Sequence, residues 1–216
     1  MIAVTGDSRG EAGYERLVSD PVVNRMRKED YLVILGGCGV TEPRADLDRV
    51  ISAYRDLPCS VLFLDGAYDD YDLLSEYPLF PWNGGRIQVF SRGIYHLMRG
   101  QVFTLEGRRL FTMGGVVTSD RSESEKYWSW WPEQDIIDED LIEAKKNLLN
   151  VGNKVDYVLS SACPRAWKND GNEMLGRILD KVDYGHWYFS GPAAQSECLG
   201  LNAECVSDVV VPITSL

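Results

Sequence analysis

The stretch VLFLDGAYDDYDLL, residues 61–74, carries the decision about the fold. Its first four residues are an unbroken apolar run, as a strand buried on both faces should be. The run stops at Asp65-Gly66, and an acidic cluster follows at Asp69, Asp70 and Asp72. A buried strand that opens into a polar loop at its carboxyl end is where open α/β sheets place their chemistry. Such a loop presents Asn, His or Asp when it serves a metal or moves protons. Here the two residues after the glycine are Ala67 and Tyr68, which do neither.

Around that stretch the chain reads as one domain, residues 1–216, long enough to bury a substantial core. Its 44% hydrophobic and 11% aromatic content argues for a folded globule rather than a disordered segment. No apolar run approaches the length of a membrane span, and Met1 opens directly on the strand IAVTG without a signal peptide. The expected compartment is therefore the cytoplasm. Cys38, Cys59, Cys163, Cys198 and Cys205 are odd in number and lack CxxC spacing, which suits reduced thiols better than disulfides or a zinc site. A net charge of −11 repels polyanions and argues against nucleic-acid polymers and anionic membranes as partners. One small anion held by a local arginine remains compatible with it.

Strands are predicted at 2–5, 31–35, 60–64, 86–90, 94–98, 101–105, 109–113, 157–159, 186–189 and 205–212. Between the second and third, residues 44–57 place Leu47, Val50, Ile51 and Tyr54 at helical spacing, which makes a βαβ unit. Residues 86–113 are short strands broken by Arg99-Gly100 and Glu106-Gly107, the pattern of an antiparallel meander. A helix is predicted over 132–149, with Pro132 in its first turn and Lys145-Lys146 near its end. The β–α–β pattern resumes through 171–182. Parallel strands at both ends and a meander between them predict two packed sheets covered by helices.

Several blocks resemble the calcineurin-like metallophosphoesterases, in particular their compact bacterial and phage-type branch. They are VTGDSRG at 4–10, DYLVILGGCG at 30–39, VLFLDGAYDDYDLL at 61–74 and PWNGGRIQ at 81–88. Further on come IYHLMRGQVFTLEGRRLFTMGG at 94–115, SWWPEQ at 129–134, KVDYVLSSACP at 154–164 and HWYFSGPA at 186–193. The resemblance runs nearly end to end. It implies a four-layer α/β/β/α sandwich of two mixed sheets, with a site on loops at the strands' carboxyl ends. In that family two metal ions, roughly 3.5–4 Å apart, clamp a phosphate and acidify a bridging water. Their ligands follow the pattern D-x-H, G-D, G-N-H-[DE], a lone His after a strand, and G-H-x-H.

Carried over residue by residue, the pattern keeps Asp7 and loses the rest. The first His falls on Arg9, and the bridging Asp on Gly37. The Asn and the catalytic His fall on Ala67 and Tyr68. The lone His falls on Ser161, and the last two on Gly191 and Ala193. Arg9 puts a fixed positive charge where a cation should bind. The chain's two histidines, His96 and His186, fall on framework positions and read as structural strand residues. No metal cofactor is expected.

Asp7, Ser8, Arg9, Cys38, Asp69, Asp70, Ser160, Ser161 and Cys163 are expected to crowd the former site. Arg9 either pairs with Asp7 or Asp69 as an internal ion pair, or stands in for the metals and offers donors to a small anion. A cysteine nucleophile would need a base that neither histidine is placed to supply. Ser160-Ser161 lacks the Gly-x-Ser-x-Gly elbow of a serine hydrolase. Tyr127, Trp128, Trp130 and Trp131, near Arg121, read either as a pocket rim or as a cap on the sheet, and 135–143 as a solvated helix face. Two functions compete. One is an inactive phosphoesterase homologue that binds a protein partner or a phosphorylated small molecule or nucleotide. The other is an active phosphoesterase with an atypical site, Asp7, Asp69, Asp70 and backbone carbonyls holding one Mg²⁺ or Mn²⁺.

Overall fold

The structure is a computed structural model that describes residues 1–42, 46–67, 69–116, 131–167, 171–191 and 202–213. It is a mixed α/β protein with two mixed sheets and helices. The first strands are β1 (Ile2–Thr5), β2 (Tyr31–Leu35) and β3 (Ser60–Leu64), which lie parallel and side by side. Next to β3 runs β6 (Ile94–Leu97), also parallel, followed by β5 (Gly85–Ser91) and β4 (Leu79–Trp82), each antiparallel to its neighbour. With β12 (Val211–Pro212) against β1 they form a seven-stranded sheet. The second sheet has five strands in the order β11 (Ala203–Cys205), β10 (Asp183–Phe189), β9 (Lys154–Ser160), β8 (Arg108–Met113), β7 (Gln101–Leu105).

Alternation along each strand sorts the side chains into three cores. In the seven-stranded sheet Ala3, Leu32, Ile34, Val61 and Phe63 point one way. There they meet Leu17 of α1 (Gly10–Ser19), Tyr54 of α2 (Leu47–Asp56) and Leu74 of α3 (Tyr71–Glu76). The alternate residues Ile2, Val4, Val33, Leu35, Leu62 and Leu64 pack against Phe103, Leu105, Leu110, Tyr157, Leu159 and Tyr188 of the other sheet. That sheet's far face buries Phe111, Met113, Val158, Trp187 and Phe189 against α4 (Asp138–Asn150) and α5 (Glu173–Leu179). A one-residue register slip in any central strand would exchange the two cores it feeds, so the register is strongly specified.

Four expectations are corrected. The meander of 86–113 splits at Arg99-Gly100: β5 and β6 pair in one sheet, β7 and β8 in the other. The predicted strand 205–212 is two strands, because Val206 donates to Phe189 and its own carbonyl accepts from Gly6, carrying the chain from one sheet to the other. The helix predicted from 132 begins only at Asp138, and Pro132–Gln134 is a separate 3-10 turn. Carbonyls that a continuous helix would use at Glu133, Gln134 and Asp135 instead accept from the Arg99 guanidinium. The loop after β3 contains α3, whose N-cap is Asp70, its carboxylate accepting from Leu73 N at 3.0 Å. Two elements were not predicted. Glycines at 10 and 13 dilute the helical pattern of α1, and Pro81 hides the edge strand β4.

Gly100, where the chain changes sheets, has φ +65°, and a Cβ there would lie 2.8 Å from Ala144 N and 3.0 Å from its Cα. Both are backbone atoms of α4 and cannot move aside. Gly100→Ala should therefore destabilise the protein by about 1–3 kcal/mol through overpacking, measured by urea unfolding. An unchanged midpoint would mean that α4 does not pack on this turn as described.

Candidate functional site

The loops that follow β1, β2 and β3 leave the same edge of the parallel strands. Those after β8, β9 and β10 leave the corresponding edge of the second sheet. Backbone and serine hydrogen bonds fasten them together. Ser8 N donates to Gly37 O at 3.0 Å, and Asp7 N to Ser190 Oγ at 3.4 Å. Ser161 Oγ donates to Asp65 O at 2.7 Å across the gap between the sheets. The structure thus gathers Asp7, Ser8, Arg9, Gly37, Ser161 and Gly191 at one end of the molecule. Gly191 is held there by its amide, which donates to Ser207 Oγ at 3.0 Å. Ala67 lies in the same β3 loop, while Tyr68, Ala193, Arg121, Tyr127, Trp128, Trp130 and Cys198 fall outside the described residues.

Two expected neighbours face elsewhere. Ser160 Oγ accepts from Trp187 Nε1 at 2.7 Å and donates to Ala162 O, and Cys163 sits in the core beneath α4 and α5. Cys38 belongs to the core under α1 and α2; burial, reinforced by the Asp69 carboxylate, pushes its thiol well up. A thiol so placed is not a nucleophile.

The three aspartates of the atypical-site reading have separate tasks. Asp7 accepts from its neighbour twice, Arg9 N to Oδ1 at 2.9 Å and Arg9 Nε to Oδ2 at 2.7 Å. Asp69 is fully buried; Thr41 Oγ1 donates to its Oδ1 at 2.6 Å and Gly66 N to its Oδ2 at 2.7 Å. Asp70 is the cap of α3. The fourth acidic residue, Asp72, accepts from Trp131 Nε1 at 3.1 Å. Among the described residues no three His, Cys, Asp or Glu are grouped to hold a metal ion.

The strongest electrostatic feature centres on Asp65, the residue at which the apolar run of β3 stops. Its carboxylate is 1% exposed and takes Arg99 Nε at 2.8 Å, Tyr71 OH at 3.0 Å and His96 Nε2 at 3.1 Å. Burial alone would raise this carboxyl, but Arg99 and then His96 outweigh it and hold it well below the usual carboxylate range. His96 Nδ1 faces Gln88 Oε1 at 2.8 Å, and Gln88 Nε2 donates to the carbonyls of Leu74 and Tyr77 at the end of α3. Arg99 reaches on to Asp140 Oδ2 in the first turn of α4, so the run 135–143 is more than a solvated face. The sequence holds a partial clue: an Asp directly after four apolar residues needs a counter-charge if it is buried with them.

No family model matches the chain, and no curated protein matches it. Among solved structures it is similar to the protein of unknown function AQ665 from Aquifex aeolicus. The two are 14% identical, with a TM-score of 0.41, over 85% of this chain and 87% of that one.

Burial pushes Asp69 up from an ordinary 3.8 to about 7, against the lowering effect of Thr41 and Gly66. The native state therefore holds a proton that the unfolded chain releases between roughly pH 4 and 7, so Asp69 contributes stability that is lost as pH rises through that window. Asp65 acts oppositely and lower, its contribution disappearing as pH falls below the unfolded value. The stability difference between wild type and Asp69→Asn, read from denaturant midpoints, should move in favour of the wild type as pH falls from 7 to 4.5. Parallel curves would contradict a raised Asp69.

Proposed function

We propose that the chain is a catalytically inactive relative of the calcineurin-like metallophosphoesterases, which works by binding a protein partner or a phosphorylated small molecule or nucleotide. The fold implied by this reading is the four-layer α/β/β/α sandwich. Three stacked cores and loops converging at the strands' carboxyl ends support it. The residues do not fit a dinuclear metal centre. At the positions where the resemblance implies ligands stand Asp7, Arg9, Gly37, Ala67, Ser161 and Gly191, and one carboxylate cannot hold two ions.

One observation carries the reading: Arg9 lies bonded to Asp7 and against Gly37, filling with a fixed cation the space between two loops that the resemblance assigns to metal. An active enzyme with Mg²⁺ or Mn²⁺ on Asp7, Asp69 and Asp70 would need the three gathered round one ion, and among the described residues no such group is present. Each is instead engaged in a task of its own: Asp7 accepts from Arg9, Asp69 from Thr41 and Gly66, and Asp70 caps α3.

Hydrolysis of p-nitrophenyl phosphate and bis(p-nitrophenyl) phosphate, with and without millimolar Mn²⁺, tests the loss of activity. The expected result is no turnover above buffer with either substrate. Mn²⁺-dependent turnover that Asp7→Asn abolishes would contradict the proposal and restore the active-enzyme reading.

A further inference from the structure

Gly37 has no backbone reason to be glycine. Its neighbours Gly36 and Gly39 adopt φ of +116° and +77°, the left-handed region that favours glycine, whereas Gly37 is not among the positive-φ residues. What forbids a side chain is Arg9. A Cβ at position 37 would lie 2.5 Å from Arg9 Cδ, 2.8 Å from Nε and 3.0 Å from Cγ. These atoms are the middle of the arginine side chain, not its far end. They are also anchored, because Nε is the atom that donates to Asp7 Oδ2 at 2.7 Å. The backbone holds the same two segments together through Ser8 N and Gly37 O. Making room at 37 therefore means breaking the Asp7–Arg9 bond.

We infer that Arg9 is a tethered cation doing the structural work of a bound ion: it neutralises Asp7, fills the space over Gly37 and holds the β1 and β2 loops together. The inference rests on the reading of this site as one without metals, and it adds a mechanism. Arg9 and Gly37 are one interlocked unit. A carboxylate cannot return to position 37 while Arg9 is in place, since even a methyl group collides with it. Restoring a cation site thus requires shortening position 9 first.

The test is a double-mutant cycle on thermal stability measured in EDTA, which reads packing without bound metal or activity and so fails or holds separately from the proposed function. With Arg9 present, Gly37→Ala should lower the melting temperature by about 2–8 °C, the effect of an overpacked site in a chain of this size. In the Arg9→Ala background the same change should be neutral or raise it by about 1–3 °C, as Gly→Ala does where the backbone conformation is ordinary. A reversal of sign, or a Gly37→Ala protein that folds only when Arg9 is also replaced, supports the interlock. Equal shifts in both backgrounds, or failure of both Gly37→Ala proteins to fold, overturns it.

Discussion

The buried Asp65 carboxylate is the constraint on which the arrangement of the loops depends. Desolvating an isolated carboxylate costs several kcal/mol even after relaxation, so the surrounding elements must bring donors to it. They come from three places: Arg99 at the crossing between sheets, itself held by the Asp140 carboxylate of α4, His96 in β6, and Tyr71 at the start of α3. Meeting this one charge therefore fixes the β3 loop, the entry to the second sheet, and the first turns of two helices. Gly114 completes the enclosure, since a Cβ there would come within 2.2 Å of Asp65 Oδ1. The same guanidinium takes the carbonyls of residues 133–135, which is why the fourth helix starts late.

In the loop after β1, charge is managed differently. Asp7 is 37% exposed and Arg9 26%, so their pair is half in solvent and adds little stability through its charge alone. Its weight is geometric. It closes the gap between two loops and makes glycine obligatory at 37. Asp69, by contrast, is sealed and held by one hydroxyl and one backbone amide, donors that do not overcome the burial that raises its pKa. Three aspartates within one end of the fold thus occupy three electrostatic regimes: fully compensated, half-exposed and paired, buried and under-compensated. The catalytic groups an unrelated hydrolase would use are equally committed, with Ser161 on a carbonyl and Ser8 against Tyr54 OH at 2.9 Å.

Much of the fold was legible because burial on both faces leaves a plain signature. The runs YLVIL and SVLFL, with a helical stripe at Leu47, Val50, Ile51 and Tyr54 between them, could be little other than a βαβ unit. The crossing at Arg99-Gly100 was not legible, because a turn within one sheet and a turn between two sheets use the same residues. Nor was the late start of α4, which depends on a guanidinium 34 residues earlier in the chain reaching Glu133 O. The site followed the same division. That Asp7, Arg9 and Gly37 meet could be expected from the order of the strands, whereas Thr41 as the partner of Asp69 came from a loop with no pattern of its own. Asp65 was not legible for a different reason: its partners Tyr71, His96 and Arg99 come from separate elements that no local pattern ties to it.

The central claim is that a fixed arginine stands where a cation would otherwise be needed, and the most direct measurement is metal content. Protein purified without chelators and analysed for Mn, Fe, Zn and Mg is expected to carry far less than one ion per chain, with no gain after incubation with Mn²⁺ and desalting. Two tightly held ions per chain, released only with loss of stability, would contradict the account at its root.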